Sequence, residues 1–145
     1  MSRILFTITI FCASFTLNAQ NDQAKLANEY FQQGEYAKAQ SLYEDLDKNK
    51  SAIPLIHSNY LQLMLDQQEY SKAEKYLERV LKTYPGNLQY KIDLAFVYHI
   101  TGDTDKLTKY LNELKKEYID NQYQLSNFAQ NLVARQLYDQ AISFY

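Results

Sequence analysis

Apolar positions recur along most of this chain with the spacing of helices, and the helices come in pairs. In residues 24–31, Leu26, Ala27, Tyr30 and Phe31 share one side of a helical wheel, while Asn28, Glu29 and Gln32 fall elsewhere. After Gly34 the period resumes with Tyr36, Ala39, Leu42, Tyr43 and Leu46, and the polar stretch Asp47 to Ser51 ends it. A second pair opens at Pro54, whose missing N–H suits a first helical turn, and presents His57, Tyr60, Leu61, Met64 and Leu65 inward. Its partner helix, Tyr70 to Thr83, carries Ala73, Leu77, Val80 and Leu81 and is stopped by Tyr84-Pro85-Gly86. Ile92, Leu94, Ala95, Val97 and Tyr98, then Leu107, Leu111 and Leu114, make a third pair. Leu125, Phe128, Ala129, Leu132 and Val133, then Leu137, Tyr138, Ala141 and Phe144, begin a fourth.

The pairs share one register. Tyr36 returns as Tyr70, Thr104 and Tyr138, and Ala39 as Ala73, Leu107 and Ala141, each step being 34 residues. Gly34, Gln68, Gly102 and Gln136 mark the reversal two places earlier, so two of the four turns must form without the residue that makes them most easily. A repeat of this length predicts an all-α solenoid of antiparallel helix pairs over residues 20–53, 54–87 and 88–121, with an incomplete fourth copy at 122–145. Stacked repeats of this kind bind more often than they catalyse. Tyr145 falls inside the last predicted helix, which leaves two expectations: the chain is the amino-terminal part of a longer repeat protein, or it self-associates through Leu137, Ile142 and Phe144.

Composition narrows the function. With 46% hydrophobic and 22% charged residues the chain reads as one helix-rich unit. Its formal charge is −2, with lysines scattered among acids, which argues against nucleic acid as a partner. Residues 1–19 are of another kind, with Arg3, an apolar run from Ile4 to Leu17, and Leu17-Asn18-Ala19 before Gln20. This is the layout of a cleavable export signal, and its apolar run is shorter than the roughly 20 residues that span a bilayer. No membrane insertion is expected after cleavage. Cys12 lies in that run, so the remaining chain would have no disulfide and no thiolate chemistry. A cysteine-free exported domain suits a bacterial periplasm or cell envelope.

Catalytic and metal-binding patterns find little support. His57 and His99, the two histidines, lack a paired ligand at helical or hairpin spacing. His57 falls on the inward stripe. Three glycines cannot build a phosphate-cradling loop, and no serine sits in a nucleophile-elbow pattern. The expectation is therefore no enzyme activity, no cofactor and no metal.

The pattern of Leu26, Ala27, Tyr30, Gly34, Tyr36, Ala39 and Tyr43 resembles the tetratricopeptide repeat. The second copy is similar through Tyr70, Ala73, Leu77 and the helix-ending Pro85, the third through Leu94, Ala95, Tyr98 and Gly102, and the fourth through Phe128, Ala129, Tyr138 and Ala141. The resemblance implies a right-handed superhelix whose first helices line a concave groove. It carries the groove onto Asn21, Ala24, Asn28, Phe31 and Gln32, then Leu55, Ser58, Gln62, Leu65 and Asp66. The later copies add Gln89, Ile92, Phe96, His99 and Ile100, and Tyr123, Ser126, Gln130, Val133 and Ala134. For Ile92, Leu65 and Val133, packing between helices is the competing role. Amides dominate, and they both donate and accept, as the backbone of a peptide or the face of a helix requires. A family subtype that clamps carboxyl-terminal peptides needs basic positions, which here hold Ala24, Gln89 and Asp93. The expected function is an exported protein-protein interaction scaffold binding a peptide or protein. The alternative is the repeat region of a larger exported or membrane-bound enzyme or sensor.

Overall fold

The computed structural model describes residues 20–144. The expected export signal, residues 1–19, and Tyr145 lie outside the described residues. Among the described residues every regular element is helical. They are α1 (residues 20–32), α2 (Tyr36–Leu46), α3 (Ile53–Asp66), α4 (Tyr70–Thr83), α5 (Leu88–Ile100), α6 (Thr104–Tyr118), α7 (Gln122–Ala134) and α8 (Tyr138–Ile142). A single 3-10 turn, Lys50–Ala52, precedes α3.

Local chemistry sets the starts. Pro54 occupies the first turn of α3. Asn87 Oδ1 accepts from Tyr90 N at 3.1 Å, Asp103 Oδ1 from Lys106 N at 3.0 Å and Asn121 Oδ1 from Gln124 N at 3.0 Å, so α5, α6 and α7 each open on a side-chain cap. Such a cap contributes roughly 1 kcal/mol.

The reversals repeat one backbone conformation. Gly34 and Gly102 have φ of 77° and 72°, and Gln68 and Gln136 take the same left-handed region at 59° and 63°. Around Gly34 the bonds Gly34 N to Phe31 O and Glu35 N to Tyr30 O close the helix in the Schellman pattern. Gly102 and Asp103 bond in the same way to His99 O and Tyr98 O, and Gln136 and Leu137 to Val133 O and Leu132 O. A Cβ at Gly34 would meet nothing within 4 Å, so φ rather than space is what selects glycine there.

The chain divides into two compact units, Met1–Gln68 and Glu69–Tyr145, and the division falls within the second 34-residue copy. In the first unit α2 packs on α3, with the Tyr43 and Tyr60 rings 5.3 Å apart. Ala27, Ala39, Tyr43, Ile53, Ile56 and Met64 are buried there, and so is His57, as its place on the inward stripe predicts. In the second unit α5 is the centre, contacting α4, α6 and α7, while α7 also contacts α6 and α8. Enclosure on several sides buries α5 from Tyr90 to Ala95 without a break, including Lys91 and Asp93. Phe128 sits between Tyr118 and Phe144, at ring distances of 6.1 and 4.9 Å.

Ala39, Ala73 and Ala141 are buried at their shared register, and Leu107 fills it in the third copy. Consecutive helices packed on their neighbours in each unit are compatible with an α-solenoid. Leu137 and Phe144 are buried inside the second unit, so of the three residues expected to mediate self-association only Ile142, at 70% exposure, is presented to solvent.

Candidate functional site

In the first unit, α1 and α3 border a hollow of about 390 Å³ lined by Asn21, Ala24, Lys25, Asn28, Glu29, Gln32 and Leu55. Five of these, Asn21, Ala24, Asn28, Gln32 and Leu55, are positions onto which the resemblance to the tetratricopeptide repeat carries a groove. Ala24 forms buried floor, Gln32 and Leu55 are exposed, and Asn28 is half-buried. Phe31 is half-buried as well, and its ring lies 5.7 Å from Tyr36. Ser58, Gln62 and Asp66 are exposed on α3, where Gln62 Nε2 donates to Asp66 Oδ1 at 2.7 Å.

Asn28 is tied more tightly than its sequence position suggests. Its Oδ1 accepts from the Tyr43 hydroxyl and from Asn59 Nδ2, and its own Nδ2 donates to Leu55 O. Both lone pairs of the side-chain oxygen are thereby used, leaving one N–H for a ligand. Burial raises the pKa of the Tyr43 hydroxyl to about 12, with a hydrogen bond to Asn59 acting in the opposite sense.

In the second unit the expected residues divide between α5, with Gln89, Phe96 and His99, and α7, with Tyr123 and Gln130. Gln89, His99, Tyr123 and Gln130 are exposed, and Phe96 is half-buried. Gln89 Nε2 donates to Asp93 Oδ1 and Oδ2 at 3.0 and 3.1 Å. The Arg135 guanidinium pairs with the same carboxylate and stacks over Phe96, 5.2 Å from its centroid. Asp93 and Arg135 thus organise this face, although sequence reading singled out Asp93 only as the wrong charge for a carboxylate clamp. A neutralised Asp93–Arg135 pair cannot hold a carboxylate either. Ile92, held between groove and packing roles, is buried, whereas Val133 is 42% exposed.

A second charged contact lies on α5. Lys91 Nζ donates to Glu117 Oε1 at 2.5 Å and to the Tyr118 hydroxyl at 2.9 Å, and stands 4.9 Å from the Tyr118 ring centroid. Burial works against its charge, but the Glu117 carboxylate and Tyr118 outweigh it and raise the Lys91 pKa above its ordinary value.

Chemically, both faces offer amides, aromatic rings and internally paired charges, which suit hydrogen bonding and stacking. Among the described residues no group of three or more His, Cys, Asp or Glu side chains could hold a metal ion. No protein-family model matches the chain, and no curated protein matches it either. The likeness to tetratricopeptide repeats therefore rests on this chain's own residues. No described helix is long and apolar enough to cross a membrane.

Proposed function

We propose that the chain is a non-enzymatic protein-interaction scaffold of tetratricopeptide type. It holds three complete right-handed repeats and part of a fourth, and binds a peptide or helix through amide and aromatic positions on the first helix of each pair. The layout of residues 1–19 supports export to a bacterial periplasm or envelope.

The observation that carries this reading is the hollow between α1 and α3. It is concave, it combines apolar floor with exposed amides, and five of its seven lining residues are positions that the family resemblance implies for a groove. An extended peptide would exchange backbone hydrogen bonds with Asn21 and Gln32 and set an apolar side chain against Leu55.

A random-peptide display selection on the purified chain tests it. Enrichment of a consensus whose binding falls at least several-fold in Gln32→Ala/Leu55→Ala is the expected result. Failure to enrich, or a consensus indifferent to both substitutions, overturns it. Both residues are exposed, so the double variant is expected to keep its helicity.

A further inference from the structure

The connection between α2 and α3 carries the triplet Asn49-Lys50-Ser51, and of the chain's asparagines only Asn49 has a serine or threonine two places on. That spacing, with any residue but proline between, is the acceptor pattern for asparagine-linked glycans in exported proteins. So short a pattern also arises by chance, and what singles this one out is its geometry. We infer that Asn49 is an acceptor for an asparagine-linked glycan, held ready-turned by the folded first unit.

The turn is built on one oxygen. Asn49 Oδ1 accepts from Ser51 N at 3.1 Å and from Ser51 Oγ at 2.8 Å. Asn49 N donates to Leu46 O and Ala52 N donates to Asn49 O, so the backbone on both sides is fixed as well. Among the described residues Asn49 Nδ2 has no hydrogen-bond partner. Lys50 and Ser51 are exposed and Asn49 is half-buried, on a surface connection that a transferase can reach.

Two other asparagines show what capping alone looks like. Asn87 Oδ1 and Asn121 Oδ1 each accept from a backbone N–H three places on, with Gln89 and Tyr123 where Asn49 has Ser51. A cap needs no serine hydroxyl; a glycan acceptor does.

The chemistry gives that hydroxyl a purpose. A carboxamide nitrogen is a poor nucleophile because its lone pair is delocalised towards the oxygen. Hydrogen bonds to the oxygen stabilise the negative charge it takes up as Nδ2 loses a proton. Nδ2 then attacks the anomeric carbon of a saccharide carried on a polyprenyl diphosphate. An N–C1 bond forms, the C1–O bond to the diphosphate breaks, its electron pair leaves with the diphosphate, and the Nδ2 proton passes to a base of the transferase. Ser51 Oγ also lies 2.9 Å from Gln20 Oε1, and its single proton serves one acceptor at a time. Ser51 N holds Asn49 Oδ1 in either case.

The inference rests on export, since such transferases work on the exported side of a membrane, but purified components test the acceptor independently of it. The full chain, its helicity checked by circular dichroism, is incubated with a single-subunit bacterial oligosaccharyltransferase and a polyprenyl-diphosphate oligosaccharide, and its intact mass is read. That transferase class also reads an acid two places before the asparagine, where Asp47 stands. A single glycan mapped to Asn49 is expected. Transfer should vanish in Asn49→Gln, fall on the order of tenfold or more in Ser51→Ala and persist in Ser51→Thr. A folded chain that stays unmodified overturns the inference, as does transfer that survives Asn49→Gln or ignores Ser51→Ala. A peptide of residues 45–53 confirms that the transferase is active; modification of that peptide but not of the folded chain would show that the fold hides Asn49, and also overturns it.

Discussion

The Tyr43 hydroxyl and Asn59 Nδ2 donate to one and the same oxygen, Asn28 Oδ1, at 2.8 and 2.9 Å. Three helices of the first unit meet at that atom. In Asn28→Ala the Tyr43 hydroxyl loses this acceptor deep in the unit, and stability should fall by about 1–3 kcal/mol. Urea denaturation followed by circular dichroism measures this. Gln32→Ala, on the same helix but exposed, serves as the control and should change stability by less than about 0.5 kcal/mol.

Gln68 and Gln136 hold positive φ where the equivalent turns use glycine. Left-handed backbone is strained for a residue with a Cβ, by roughly 1 kcal/mol or more, and glycine removes the strain while adding unfolded-state freedom. Gln136→Gly should therefore stabilise the chain by about 0.5–1 kcal/mol. Gly34→Ala should do the reverse, although its Cβ would have open space. Thermal melts of the two variants should move in opposite directions. A fall for Gln136→Gly would show that its side chain matters more than its φ.

Arg135→Met would take the guanidinium from Asp93, 2% exposed and also bonded by Gln89, and leave no cation over Phe96. Because Arg135 is itself about one-third exposed, water can replace part of what is lost. The expected destabilisation is about 1–3 kcal/mol, below the 3–5 kcal/mol of a fully buried pair. Adding Asp93→Leu should restore most of it, since the buried carboxylate that Arg135 balanced is then gone. Denaturant midpoints of the single and double variants decide the point, and a double variant weaker than the single would contradict it.

Alkaline pH should unfold the chain over a defined window. Burial raises the Tyr43 and Tyr98 pKa values to about 12, with Glu74 and Glu78 adding to the effect at Tyr98, and burial also raises Tyr110. An unfolded tyrosine ionises near 10, so folding favours the protonated phenol; this stabilisation is complete below pH ~10 and declines as pH climbs towards ~12. Lys91 shifts upward too, and its contribution is lost in the same direction, above the ordinary lysine value of 10.5. Tyrosinate absorbance from Tyr43, Tyr98 and Tyr110 should rise only together with loss of helicity. Ionisation of these three phenols with helicity intact would refute this.

The periodic part of the architecture was legible because periodicity is a local signal. Ala39, Ala73 and Ala141 could be placed inside, and the reversals at 34, 68, 102 and 136 located, from spacing alone. Long polar ties were not. Asn28 and Tyr43 are 15 residues apart, and Asp93 and Arg135 are 42 apart. The register says which side of a helix a residue occupies; it does not say which partner a flexible guanidinium will reach. Lys91 was missed for a related reason. An apolar wheel assigns a lysine to solvent, but α5 is surrounded on several sides, so even its charged positions are enclosed.

The shared oxygen of Asn28 has one more consequence. Apolar side chains such as Ala27, Ile53 and Ile56 make contacts that a neighbouring turn of helix could imitate. A slip of α1 by one turn, about 5.4 Å, would keep much of that contact yet strip the Tyr43 hydroxyl of its acceptor inside the protein. Asn28 thus acts as an address rather than a brace, selecting which turn of α1 the other two helices accept.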